Sequence, residues 1–146
     1  MALIAGIAAG VLATGAQVVL WWLAGMPLAA TLLRDARLTA ALLLGPSVLT
    51  PPSTLRWDIL LVATLIHFAL SVLYALLPAA VGGRLRQGEA LVAGAAYGAL
   101  IYAVNLYGLT YFFPWFAVAR DWVTLAAHLV FGVALVGACR LYAGRR

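Results

Sequence analysis

Seven polar side chains stand where an apolar sequence has little reason to keep them: Gln17, Thr64, His67, Ser71, Asn105, Thr124 and His128. Each lies inside a run of Ala, Leu, Val and Ile long enough to cross a bilayer. A polar group at that depth needs an internal partner or a hydrated cavity, because hydrocarbon offers neither donor nor acceptor. The two histidines can donate or accept hydrogen bonds, pass protons, or ligate a metal through neutral imidazole. Counted from Arg56 and Arg120, both lie about 12–15 Å below the same surface at 1.5 Å per helical residue. Two imidazoles at matching depth could serve as axial ligands of a b-type haem, the one cofactor the sequence brings to mind. They could equally line a solute or proton path, or be hydrogen-bonded to a neighbouring hydroxyl or amide. Cys139 is the only cysteine, so no intrachain disulfide or CxxC motif exists. No nucleophile–base constellation, phosphate loop or metal-ligand cluster is visible, and the chain reads as non-enzymatic.

The elements that must carry these residues follow from composition. With 66% hydrophobic and 9% charged residues in 146, the chain holds more apolar surface than a water-soluble fold of this size could bury. It reads as an all-α integral membrane protein in the lipid bilayer. The formal charge of +5 comes from scattered arginines that form no basic stripe, which excludes nucleic acid as a partner. Four segments reach the roughly 20 residues a span requires: Ala2 to Leu23, Thr54 to Leu77, Glu89 to Thr110, and Trp115 to Tyr142. Pro114 is expected as the first helical residue of the last. Between the first two, Leu28 to Leu44 has helical composition but is too short and too charged to span. It is expected at the interface or folded over the mouth of the bundle, ending at Gly45-Pro46.

The chain also repeats itself. Ala2 to Gln17 aligns without gaps on Ala90 to Asn105, with identities at Ala2/Ala90, Leu3/Leu91, Ala5/Ala93, Gly6/Gly94, Ala8/Ala96, Gly10/Gly98 and Leu12/Leu100. Arg34-Asp35 and Arg120-Asp121 follow in each half, then one histidine. The sequence therefore predicts a single membrane domain, residues 1–146, built as a four-transmembrane-helix bundle from two tandem two-helix repeats of about 1–80 and 89–144. Gly6 and Gly10, like Gly94 and Gly98, form a small-residue stripe that lets backbones approach. The expected pairing is the first helix against the third around a pseudo-two-fold axis, with Gln17 facing Asn105. Arg34 with Asp35, and Arg120 with Asp121, are expected as interfacial ion pairs.

On the second helix Thr64, His67, Ser71 and Tyr74 share one face; on the fourth, Asp121, Thr124, His128 and Gly132 do. Below His128 that second stripe turns apolar, through Gly132, Leu135 and Cys139. Arginine counting favours Arg84, Arg86, Arg140, Arg145 and Arg146 on the inner side, which places both termini in the cytoplasm. The tryptophans Trp21, Trp22, Trp57, Trp115 and Trp122 gather toward the other surface, as an aromatic belt would.

The combination LVAGAAYG, then FPWFAVARDW, then His128 followed by Phe131-Gly132, resembles the YagU-like group of small bacterial inner-membrane proteins. The similarity continues at LIHFALSVLYAL and so covers most of the apolar chain. It implies a bacterial inner-membrane location and a four-helix topology. Relatives of this type are often labelled sodium:proline symporter, yet four spans in 146 residues, with no discontinuous helix, cannot contain a symporter fold of the usual size. Three functions follow as expectations: an accessory or interaction component of a membrane assembly, a small channel or transporter working as a homo-oligomer, and a bis-histidine haem b protein.

Overall fold

The computed structural model describes residues 1–52, 54–81 and 85–143. Arg84, Arg145 and Arg146, three of the arginines counted for orientation, lie outside the described residues. Among the described residues five α-helices form: α1 Ala2–Leu23, α2 Leu28–Leu44, α3 Trp57–Val81, α4 Gln87–Ala103 and α5 Trp122–Ala143. The candidate spans are α1, α3, α5 and the stretch Gln87–Tyr111 that α4 begins. Their outward faces carry Leu3, Leu12, Leu61, Leu65, Val92 and Leu100, all exposed, as a surface solvated by lipid requires.

The first two helices and the turn after them keep their expected bounds, because the stop signals are strong. Gly25 and Gly45 take φ of +67° and +77°, a conformation that costs other residues the Cβ clash glycine lacks. The later boundaries move. The third apolar stretch is α-helical only to Ala103; Val104–Gly108 is a π-helical turn and Leu109–Tyr111 a 3-10 turn. The fourth span starts at Trp122 rather than Trp115. Pro114 opens a separate 3-10 segment, Pro114–Ala119, and Asp121 then caps α5 by accepting a 2.8 Å hydrogen bond from the Thr124 N–H. A side-chain cap at Asp121 outweighs the helix-start preference of Pro114.

Packing corrects the expected pairing of the glycine stripes. α1 makes no extended contact with α4; α1 packs on α3 and α5, and α4 packs on α5. A Cβ on Gly6 would lie 2.7 Å from the Ser71 carbonyl oxygen, and one on Gly10 would lie 3.1 Å from the His67 Nε2. In the other half a Cβ on Gly94 would lie 2.7 Å from Val133 Cα, and one on Gly98 would overlap the His128 carbonyl. Each glycine stripe thus holds its own histidine-bearing partner helix. Gly6 meets Val72 Cα as Gly94 meets Val133 Cα, while Gly10 meets the His67 ring and Gly98 the His128 backbone.

The contact between the halves is made by alanine. Ala5, Ala9 and Ala13 recur every fourth residue along α1 and are buried against a cluster holding Phe131, Leu135 and Cys139 of α5. Small side chains there let van der Waals contact run the length of both helices, which is what drives association in lipid. The opposite edge, between α3 and α4, has no such backbone approach. Two tyrosines bridge it: Tyr74 donates to Asn105 Oδ1 at 2.6 Å, and Tyr97 donates to the Tyr74 carbonyl at 2.8 Å.

α2 lies across one end of the bundle. Its buried Ala40 packs on Ile59 and Ala63 of α3, while Leu38 packs with Leu106 and Ala119. Arg37, 6% exposed, ties down the chain that follows by donating to the Val48 and Thr54 carbonyls at 2.6 and 2.8 Å. Trp115 Nε1 donates to the Leu38 carbonyl at 3.1 Å and fixes the Pro114–Ala119 segment against the same helix. At the far end Arg140 donates to the Leu85 carbonyl at 3.1 Å.

Candidate functional site

Under α2 the bundle holds a half-open cavity of about 490 Å³, within the ~300–1,000 Å³ usual for small-molecule sites. All seven polar residues singled out in the sequence line it: Gln17 from α1, Thr64, His67 and Ser71 from α3, Asn105 from the π turn, and Thr124 and His128 from α5. The reason is geometric. The glycine stripes press α1 onto α3 and α4 onto α5, the alanines join the two halves along one edge, and the unpacked α3–α4 edge leaves room inside. Apolar side chains, Leu60, Phe68, Ile101, Leu106 and Phe131, form most of the remaining wall.

The polar groups are only partly satisfied by the protein. His128 Nδ1–H donates to the Thr124 carbonyl at 2.7 Å, since a carbonyl can only accept; in the neutral imidazole this leaves Nε2 as an acceptor. The ring is also set edge-on to Tyr102, centroids 5.5 Å apart. His67 Nε2 lies 3.4 Å from Thr14 Oγ1, a long contact, and Ser71 donates back to the His67 carbonyl at 2.8 Å. Asn105 spends its carbonyl oxygen on Tyr74. Gln17 and Asn105 do not bond to one another. Neither amide bonds to an imidazole. Buried and without a partner among the described residues are Thr124 Oγ1, Trp21 Nε1 and, beside Asp35, Arg34 Nη2.

Trp21 is the site residue the sequence reading misses. Four of the five tryptophans fit an interfacial position, with Trp22, Trp57 and Trp122 exposed and Trp115 half-buried, but Trp21 is 3% exposed and lines the cavity. The signal was present in the spacing: Gly10, Thr14, Gln17 and Trp21 recur at four, three and four residues, one continuous helical stripe.

No family model, curated protein or solved structure matches this chain. The site therefore has to be read from its own chemistry.

At the mouth, Arg34 and Asp35 form the expected ion pair at 2.8 Å. Burial raises the Asp35 carboxyl above its usual range, with the Arg34 guanidinium pulling the other way and the Asp121 charge adding to the rise. Arg120 and Asp121 do not pair with each other. Arg120 instead donates to the Leu106 carbonyl at 2.6 Å and to Thr110 Oγ1 at 2.7 Å, with its guanidinium 4.5 Å from the Tyr107 ring centroid. A π turn frees carbonyls that the α-helical ladder would have used, and a guanidinium satisfies them. The second ion pair is Arg56 with Asp58, at an exposed position. Among the described residues no three His, Cys, Asp or Glu side chains gather closely enough to hold a metal ion.

Proposed function

We propose that this chain is a non-enzymatic multi-pass protein of a bacterial inner membrane, with both termini cytoplasmic, that serves a membrane assembly by holding a small molecule in the cavity beneath α2. The observation carrying this reading is the convergence of all seven intramembrane polar residues on one space, with two of its buried polar atoms unpartnered. Groups of this kind are tolerated at depth where a ligand or water completes them. The location and topology rest on the YagU-like resemblance and on the arginine distribution. The tandem-repeat reading is supported by the matching approaches of Gly6 to Val72 Cα and Gly94 to Val133 Cα.

A channel through the chain is the less favoured reading. Below the cavity Leu135 and Cys139 of α5 are both 0% exposed, and the stripe of α5 that carries His128 turns apolar. Cysteines at Thr64, Thr124 and Leu135 in a Cys139→Ser background separate the two. With a membrane-impermeant thiol reagent added from outside, position 64, exposed at the cavity, is expected to react, and the buried positions 124 and 135 to stay unlabelled. Reaction at 135 from the aqueous phase would establish a through-path; silence at all three would remove the accessible cavity and the proposal with it.

A cytochrome reading has one observation in its favour, that His67 and His128 line the same cavity. A b-type spectrum lost in both His67→Ala and His128→Ala would establish it. Colourless protein from haem-replete cells would eliminate it. Blue-native electrophoresis of mildly solubilised membranes tests the assembly; a strictly monomeric species without partners would count against it.

A further inference from the structure

The unengaged polar atoms of the cavity wall point to one class of ligand: we infer that the cavity takes a neutral primary carboxamide carried on a flat apolar ring, admitted from the aqueous end beneath α2. The inference rests on the cavity being a ligand site, as proposed above, and adds what it binds.

The head group follows from the polar atoms that no protein group engages and that packing does not bury. Among the described residues that line the cavity these include both amide atoms of Gln17, Asn105 Nδ2 and His128 Nε2. Asn105 has its oxygen on Tyr74, so only its N–H groups remain. His128 donates through Nδ1 to the Thr124 carbonyl, so its Nε2 accepts while the ring is neutral. Gln17 offers one group of each kind. The wall thus presents donors from Gln17 and Asn105 and acceptors from Gln17 and His128. A primary carboxamide has two N–H bonds and a carbonyl oxygen with two lone pairs, and it answers all four. A hydroxyl has one proton and leaves either Gln17 Oε1 or His128 Nε2 unmet; a carboxylate donates nothing and an ammonium accepts nothing. His67 Nδ1 takes either role with its tautomer and selects nothing.

Charge argues for neutrality. The charged residue on the wall, Asp35, accepts from Arg34 Nε at 2.8 Å, so the two charges offset each other at the mouth. An anion would meet Asp35, and the unpartnered Arg34 Nη2 is packed within protein, where it offers that anion no bond. A cation would meet a carboxylate already held by a guanidinium. Arg120 and Asp121 are engaged as well, on the Leu106 carbonyl and the Thr124 N–H. Either sign of charge therefore loses hydration that the uncharged wall does not replace.

The body and the route follow from the rest of the lining. Phe68, Phe116, Phe131 and Tyr74 contribute aromatic wall, against which a flat ring packs edge-on or offset. At the α2 end the border is polar, with Asp35 and Thr39 half-buried and Thr64 exposed. A polar rim admits a solute from water, the same path that thiol labelling at Thr64 follows.

The test uses the full chain in nanodiscs and four water-soluble probes of nearly one shape: benzamide, benzoate, protonated benzamidine and acetophenone. Saturation-transfer NMR against empty nanodiscs ranks their affinities, and protection of a Thr64→Cys thiol in the Cys139→Ser background places binding in the cavity. Benzamide is expected to bind tightest and to slow labelling at position 64. His128→Phe should weaken benzamide about three- to tenfold, the effect of one lost hydrogen bond, and leave acetophenone, which has no proton to give, as it was. Unchanged acetophenone binding also shows that the cavity survives the substitution. Gln17→Leu should weaken both, benzamide more. Tighter binding of benzoate, benzamidine or acetophenone, or an equal loss of benzamide and acetophenone in His128→Phe, would overturn the carboxamide assignment while leaving a binding cavity. So would an absence of binding by all four with position 64 still reactive. Silence at position 64 together with no binding would sink the ligand-site reading itself.

Discussion

At the scale of single residues, the glycines divide sharply by what surrounds them. Gly98 has the His128 carbonyl where its Cβ would stand, and Gly132 the Gly94 carbonyl; backbone atoms cannot swing aside as a side-chain tip can. Gly98→Ala is expected to lower stability by about 1–3 kcal/mol or more, through separation of α4 from α5. Gly15→Ala and Gly137→Ala meet nothing within 4 Å and should be neutral or stabilising by about 0.5–1 kcal/mol, from helix propensity alone. Thermal unfolding in one detergent, comparing the three, checks both signs. Asp35 yields a pH prediction. Its folded carboxyl titrates above its ordinary value of 3.8, so the folded state holds the proton more tightly than the unfolded chain. The contribution of Asp35 to stability therefore falls as pH rises through that window and recovers as pH drops toward 4. Melting temperatures of wild type and Asp35→Asn, followed from pH 7 to 4, should diverge in favour of wild type; a difference independent of pH would refute the burial-driven shift.

At the scale of elements, the break between α4 and α5 depends on one arginine. Arg120 satisfies the Leu106 carbonyl and Thr110 Oγ1 while stacking on Tyr107, and Thr110 itself donates back to the Tyr107 carbonyl at 2.9 Å. A lysine has the charge but not the planar fork, so Arg120→Lys should fail to rescue what Arg120→Ala loses. The expected loss is about 1–3 kcal/mol, with hydrogen exchange quickening over residues 106–111 in both variants. The tyrosine bridge is the other element-scale feature. Tyr74→Phe removes the 2.6 Å bond to Asn105, at about 0.6–1.7 kcal/mol for a hydrogen bond between helices in a membrane. Spin labels on the lipid-facing sides of α3 and α4 should then report a wider distance distribution, while labels on α1 and α5 report none. The contrast follows because alanine packing, rather than hydrogen bonding, closes the α1–α5 edge.

At the scale of the molecule, an asymmetry in how the halves meet makes the cavity. A closed two-fold bundle would repeat the α1–α5 contact between α4 and α3, and the space would be filled. Here that second contact is replaced by long side chains, and α2 closes the end instead, held through Ala40, Ile59 and Ala63 and through Trp115 on the Leu38 carbonyl. Trp115→Phe keeps the ring but drops the hydrogen bond. It should loosen α2 against the Pro114–Ala119 segment and speed thiol labelling of a cysteine at Thr64 severalfold, without changing the exclusion of Leu135. Unchanged labelling at Thr64 would show that α2 is held by α3 alone.

Composition and periodicity by themselves determined the spans, the short capping helix Leu28–Leu44 and the polar residues that converge, because each rests on local physics. Apolar length sets a membrane crossing, positive-φ glycine ends a helix, and a polar group in hydrocarbon must point inward. The Gly-xxx-Gly stripes could likewise be read as places of close backbone approach. Which helix those glycines hold was decided only in three dimensions. A small-residue stripe offers the same close approach to any partner, and the choice of α3 and α5 turns on Ser71, Val72, Gly132 and Val133, far along the chain. The π turn, the interior position of Trp21 and the engagement of Arg120 with carbonyls rather than Asp121 are of the same kind. Each depends on which backbone groups the packed helices leave unpaired, a quantity that exists only once the bundle has formed.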